Sequence, residues 1–351
     1  MTRPALPASR ATDLLRAATD PLVADHTAPG VVGAAVLGTE AAVVATGHRT
    51  AGSAEPVRTD TPFALGSLTK TLTGLLLAEL ACRGDVSYDD PIDLHLPPAA
   101  APRHATAPIT LLDLATHSAG LPRLPGNFYR RGLPHLLSNP YARYREEDLH
   151  RATAHVRPRS RVVRYSTFGM GLLGHLLANA AGTDYGTLLT YRLLRPLGMT
   201  GTSVSGADGP PPDAATGHRR GRPAHHWTFD ALAGAGAAYA TGDDMLRYLQ
   251  AQLRPQHTAL SAALTATHQP YHPYPRSPNA TCLAWTHRAM DDHTLLWHSG
   301  GTGGFTAFIG FSPEARAGAA LLANTTPTRG QPVLRAGRRL LDAVVEAATE
   351  R

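Results

Sequence analysis

Apolar positions recur at helical spacing near the start of the chain and give way to continuous apolar runs in the middle. They alternate again with polar residues toward the end. Leu14, Leu15, Ala18, Leu22 and Val23 follow a 3.6-residue period, which predicts a helix over 11–26, bent at Pro21. VVGAAVLGT (31–39) and AAVVATG (41–47) predict two short strands joined by a tight turn. FALGSLTKTLTGLLLAELACRG (63–84) starts extended, becomes a helix and stops at Gly84. Further helices are predicted over LLDLATHSAGLP (111–122), FGMGLLGHLLANAAG (168–182) and ATGDDMLRYLQAQL (240–253), the last capped by Thr241 or Asp243. Residues 123–162, rich in Pro, Arg and Tyr, read as irregular chain with short helices, and 206–226 as a loop or flap. LAWTH (283–287), LLWH (295–298), FTAFIGF (305–311) and AGAALLAN (317–324) lie between Gly and Pro breaks and predict antiparallel strands. A helix over about 331–349 closes the chain.

Strand-forming sequence thus lies at both ends and helical sequence between them. The economical architecture is α+β: one antiparallel sheet built from both chain ends and flanked by terminal helices, with a mostly helical domain inserted. The sheet lobe takes 1–66 and 275–351 and the helical lobe 67–274, with a pocket expected at their seam.

A 351-residue chain with 43% hydrophobic and 17% charged residues can bury a large core. The formal net charge of +6 raises nucleic-acid binding as a possibility. Scattered arginines and 6% aromatic content argue against it. No stretch reaches the roughly 18 apolar residues of a membrane span, so no membrane partner is expected. The first 26 residues lack the apolar core of a secretory signal, which predicts a cytoplasmic protein. Two cysteines imply no disulfide framework, and Cys82, closing the run Leu75–Cys82, is expected to be a buried free thiol.

One feature stands apart from this background. The chain has 32 arginines and one lysine, Lys70, three residues after Ser67. Guanidinium stays charged in proteins, whereas an ammonium can be driven neutral by burial or nearby positive charge. On a helix, residues three apart share a face. Ser67 and Lys70 therefore form a nucleophile with a base beside it. Ser67 also falls near a helix N-terminus, where free N–H groups favour developing negative charge. The plainer alternative is an N-cap serine and a surface lysine.

Ser67-Leu68-Thr69-Lys70, then Tyr165-Ser166-Thr167, then His298-Ser299-Gly300 resemble the three signature motifs of the penicillin-recognising serine hydrolases. That superfamily includes class C β-lactamases, D-alanyl-D-alanine carboxypeptidases, and esterases and transacylases. DDPIDLHLP, ITLLDLATHSAGLP, LLRPLGMTGTSV and HSGGTGGFTAFIGFSP extend the likeness over roughly residues 10–345. The resemblance implies an acyl-enzyme on Ser67, with Lys70 taking the serine proton and Tyr165 relaying a proton to the leaving group. It implies an oxyanion hole from the backbone N–H groups of Ser67 and Gly301, and a pocket strand carrying His298, Ser299 and Gly300. Thr167 and Arg164 are expected to touch substrate.

Two departures bear on substrate class. His298 stands where the third motif commonly begins with Lys, and Thr167 where the second often ends in Asn. A histidine anchors a carboxylate less firmly near pH 7, and threonine cannot offer an amide's donor and acceptor together. Both argue against efficient β-lactam turnover, and the missing export signal argues against cell-wall peptides.

The cluster Arg157, Arg159, Arg161 and Arg164 is either a solvated loop or a receiver for an anionic group. GGTGG (300–304) lacks the Lys and Ser/Thr of a phosphate loop, and the nucleophile elbow G-x-S-x-G is absent. His117 with Ser118 reads as a helix-end turn. His225–His226 and the pair His150/His155 lack zinc-site spacing, so neither metal nor cofactor is expected. The leading reading is a cytoplasmic esterase or biosynthetic transacylase using small-molecule acyl donors and acceptors. The alternatives are a D-alanyl-D-alanine carboxypeptidase or weak β-lactamase, and a non-catalytic acyl-binding or sensor module.

Overall fold

The computed structural model describes residues 9–132, 135, 138–159, 161–206 and 209–350. Parts of two predicted segments, 133–134, 136–137 and 160 in the irregular stretch and 207–208 in the flap, lie outside the described residues, as does the start of the chain.

The first elements are α1 (Arg10–Ala24), β1 (Gly30–Leu37), β2 (Glu40–Gly47), β3 (Phe63–Ala64) and α2 (Thr69–Arg83). The middle holds α3 (Leu111–Ala115), α4 (Phe128–Gly132), α5 (Glu146–Ala154), α6 (Thr167–Ala180) and α7 (Tyr185–Leu189). Short strands follow: β4 (Ser203–Val204), β5 (His218–Arg219), β6 (Arg222–Pro223) and β7 (Ala238–Ala240). Then come α8 (Gly242–Leu253), α9 (Ser261–Thr267), β8 (His272–Pro273), β9 (Asn279–Thr281), β10 (Thr286–Ala289), β11 (Thr294–Gly301), β12 (Thr306–Ser312), β13 (Ala317–Ala323) and α10 (Pro332–Thr349).

The main sheet has the order β2-β1-β13-β12-β11-β10-β9-β8. All its pairings are antiparallel, and β1 joins the two chain ends by pairing with β13, Val31 opposite Ala323. Strand periodicity separates its two faces. Val31, Ala35, Ala319 and Leu321 pack with Leu15 of α1 and Leu341 and Val344 of α10. Val32, Ala34, Val36, Ala320 and Leu322 face the large core shared with α8 and α2. The sheet is therefore covered on both faces, which explains the continuous burial of β1, β12 and β13. α2 is buried from Thr69 to Leu80 and runs through the interior as a central helix. Gly84, at φ 78°, closes it.

Three expectations need correction. Cys82 is exposed, because the last turn of α2 leaves the core, while Cys282 is buried. The helix predicted over 111–122 ends at Ala115, where the Thr116 hydroxyl bonds back to the Leu112 carbonyl and His117 turns to φ 59°. The strand predicted over 283–287 begins only at Thr286. Leu283–Trp285 are buried irregular chain, with Ala284 at φ 64° donating its N–H to the Ala115 carbonyl. The flap-like stretch is pinned over its second half. The Thr216 and His218 N–H groups bond to the Arg49 and Gly304 carbonyls, and Trp227 Nε1 to that of Ser138.

Candidate active site

β3 runs into a single tight turn, Gly66–Leu68, before α2. Gly66 sits at φ 51°, and a Cβ there would lie 2.6 Å from the Gly301 oxygen. Only glycine lets this turn meet the end of β11 so closely. The turn presents Ser67, half-buried, one helical turn before the fully buried Lys70. Lys70 Nζ is 2.9 Å from Ser67 Oγ and 2.6 Å from the Ala235 carbonyl oxygen. Among the described residues no carboxylate pairs with it. Burial lowers its pKa, and the Arg123 guanidinium lowers it further, while Tyr165 acts in the opposite direction. The plainer alternative of a surface lysine is thereby excluded.

Tyr165 immediately precedes α6, and the local chain is held firmly. Ser166 caps the helix, accepting from the Gly169 N–H at 2.9 Å and donating to the Pro122 carbonyl at 2.7 Å. The Tyr165 ring centre is 5.2 Å from Lys70 Nζ and 5.3 Å from Arg123 Cζ. Two imidazoles flank it, His117 at 4.8 Å and His298 at 6.3 Å between ring centres. Both histidines are buried, and desolvation, then the Lys70 charge, pushes each down to about 3. His298 Nδ1 donates to the Ser299 carbonyl at 2.8 Å, which leaves Nε2 as an acceptor. His117 Nδ1 accepts from the Ser166 N–H at 3.3 Å. Both rings are therefore neutral near pH 7, so His298 is not a fixed positive anchor.

β11 completes the catalytic face. A Cβ on Gly300 would fall 2.0 Å from the Leu65 oxygen and 3.1 Å from the Ser67 nitrogen. The strand thus lies directly against the Ser67 turn. Ser67, Tyr165, Thr167, His298, Ser299, Gly300 and Gly301 all line one cavity of about 620 Å³. Its other walls include Tyr141, Trp227, Phe229, Tyr274 and Trp297, and Tyr141 stacks on Phe229 at 4.3 Å. Among the described residues, Arg123 is its one arginine, and no Asp or Glu lines it.

Two predicted site residues are not in its wall: Lys70, which is fully buried, and Arg164. With Arg159, Arg164 lines a side pocket that meets the main cavity at Arg123 and Tyr165. Arg161 is tied to Asp113 at 3.1 Å and to the Pro108 carbonyl, and Arg157 lines a further hollow beside Arg151 and Phe168 that shares Arg159 with the side pocket but does not reach the main cavity. The four arginines therefore do not form one receiver. Sequence reasoning missed His117 and Arg123. His117 was visible only as a helix-end residue, and Arg123 lay three residues past the Gly120 break with no pattern to mark it.

Comparison with known proteins shows what the whole chain is similar to. The Beta-lactamase family model matches residues 15–343. The D-alanyl-D-alanine-carboxypeptidase/endopeptidase AmpH of Escherichia coli K12 is 30% identical over 287 residues, covering 76% of this chain and 72% of that protein. A beta-lactamase of Escherichia coli K12 is 25% identical over 347 residues, covering 89% and 88%. The unguisins hydrolase of Aspergillus campestris is 26% identical over 297 residues, covering 77% of this chain and 54% of its own length.

Proposed function

The chain belongs to the beta-lactamase family of serine hydrolases, and from that premise we propose an esterase or transacylase that forms its acyl-enzyme on Ser67. The observation that carries the reading is Lys70, fully buried, 2.9 Å from Ser67 Oγ and without a carboxylate partner among the described residues. A neutral amine there accepts the serine proton as Oγ attacks the donor carbonyl. The oxyanion forms between the Ser67 and Gly301 N–H groups, in a turn and strand held in contact before substrate arrives. Tyr165 protonates the leaving group, and the neutral rings of His117 and His298 beside it add no competing charge. Water or an acceptor alcohol or amine then takes the acyl group by the reverse path.

Thr167 and the uncharged His298 weigh against β-lactams, and the aromatic walls suit an apolar acyl or acceptor group. A second reading, hydrolysis of a peptide with a free carboxylate, is favoured by the likeness to AmpH and by Arg123 at the cavity wall. Two free cysteines, one exposed, fit a reducing compartment such as the cytoplasm. Mass-spectrometric partition of the acyl group between water and millimolar acceptors tests the leading reading. Activated esters should turn over, and benzylpenicillin should stay well below the usual enzymatic range of about 10⁴ M⁻¹s⁻¹. If only carboxylate-terminated peptides or β-lactams turn over, the esterase reading fails. If water takes nearly all the acyl group from every acceptor, the transacylase form fails.

A further inference from the structure

Away from the cavity, α5 and α6 bring three metal-ligating side chains together. Glu146 and His150 are one turn apart on α5 and share a face. His175 comes from the middle of α6. The Nε2 atoms of His150 and His175 are 3.0 Å apart, and Glu146 Oε1 is 3.6 Å from His150 Nε2. All three ligand atoms lie within 4.8 Å of one another. The pair His150/His155 considered in the sequence is not the relevant one. His155 is exposed, with its Nδ1 2.9 Å from the Arg151 carbonyl oxygen, and the partner of His150 lies 25 positions on.

Two imidazoles that meet at Nε2 need something between them. A neutral ring has one N–H and one lone pair, so either a proton or a cation can fill the gap. The Asn179 amide nitrogen lies 3.2 Å from His175 Nε2 and 3.0 Å from the His95 carbonyl oxygen. Asn179 thus donates to His175 Nε2. That nitrogen is therefore the acceptor and the ring proton sits on Nδ1, the tautomer a metal-bound imidazole requires; an ion taking the lone pair displaces the Asn179 donor, which keeps its bond to the His95 carbonyl.

The geometry points to a divalent transition-metal site, best suited to zinc, formed by Glu146, His150 and His175 as a clasp between α5 and α6. Ligand atoms about 2.1 Å from zinc at angles of 90–110° are about 3.0–3.4 Å apart. The histidine pair already has this spacing, and the Glu146 carboxylate is mostly exposed and can swing the remaining distance. Two imidazoles with one carboxylate favour zinc, cobalt or nickel over magnesium or calcium. Water completes the tetrahedron. On binding, the His150 proton moves from Nε2 to Nδ1, so two neutral rings take up the ion without net proton release. His175 is eight residues into α6 from Thr167, about 12 Å along the helix axis, and Tyr165 lies two residues before that start. The ion would not touch substrate there. It would fix the segment between α5 and α6, which delivers Tyr165 to the cavity.

The test uses the full chain, stripped with chelator and titrated with zinc by calorimetry, then with cobalt by visible absorption. One ion per chain is expected, with tetrahedral cobalt bands, and no uptake of magnesium at the same concentrations. At zinc about 100 times Kd, Tm should rise by about 4 °C. His150→Gln on the α5 surface and Glu146→Gln should each weaken binding at least tenfold while leaving the circular dichroism unchanged, and His175→Gln should do the same. Absence of saturable uptake would overturn the proposal. So would His150→Gln and His175→Gln variants that are folded and bind zinc as tightly as the parent, since the ion would then sit among other histidines.

Discussion

The Gly300→Ala substitution probes whether contact between β11 and the Ser67 turn matters for catalysis. The added Cβ would lie 2.0 Å from the Leu65 oxygen and 2.9 Å from the Leu68 nitrogen, both backbone atoms that no rotamer change can move aside. A tolerable C···O contact is about 3.3 Å, so the strand and the turn must separate by about 1.3 Å. The overpacking should cost about 1–3 kcal/mol of stability, which a 351-residue chain can absorb. The catalytic effect should be larger. Moving a positioned group by about 1 Å can cost about 100-fold, and losing one oxyanion donor about 100- to 1,000-fold. We therefore expect kcat/KM for a p-nitrophenyl ester to fall by about 100- to 1,000-fold, with Tm lowered by only a few degrees. Gly126→Ala, where a Cβ meets nothing within 4 Å, serves as the control and should behave like the parent. A folded Gly300→Ala protein with kcat/KM within threefold of the parent would refute the reasoning.

Three further expectations follow from the same geometry. Lys70→Arg should be nearly as damaging as Lys70→Ala in steady-state ester hydrolysis, because guanidinium cannot accept a proton; retention of more than about a tenth of activity would make Lys70 a fixed charge. Both His117 and His298 are held neutral in the fold and titrate near 6.5 when unfolded, so the unfolded state binds more protons below that pH. Stability should fall as pH drops from about 6.5 toward 3, by at most about 1.4 kcal/mol per pH unit per histidine. Urea titrations at pH 7, 6 and 5 should show this slope, reduced in His298→Gln and in His117→Asn, which tolerates the left-handed backbone; an unchanged slope would contradict the assignment. Arg123→Ala should raise KM for an anionic acyl donor or acceptor about fivefold more than for a neutral one, an exposed-pair magnitude, whereas Arg157→Ala and Arg161→Ala should not discriminate; equal effects on both substrates would remove Arg123 from recognition.

Much of the fold was written in short-range patterns. The apolar runs at 31–47 and those after 294, one alternating and the others continuously apolar, gave paired strands because each is short and has clear Gly or Pro ends. The pair Ser67 and Lys70 stood out for a chemical reason, a single lysine amid arginines. What escaped depended on contacts between distant segments. Cys82 looked buried because its run was apolar, yet exposure was decided by where α2 leaves the core. Leu283–Trp285 had strand composition, but packing against α2, where Gly74 meets the Leu283 carbonyl, held the chain irregular. His117 reaches Tyr165 only because its backbone turns left-handed at the end of α3. The arginines at 157–164 were adjacent in sequence and diverge in space. Glu146 and His175 meet only once α5 has folded onto α6.

The central claim is that Ser67 carries the acyl group, and intact-mass spectrometry with peptide mapping tests it most directly. Incubation with a slow ester or a phosphonate probe should add one acyl or phosphonyl mass per chain, mapped to the peptide containing Ser67. Ser67→Ala should show neither the adduct nor ester turnover. An adduct on another residue, or an alanine variant with near-parental turnover, would contradict the account.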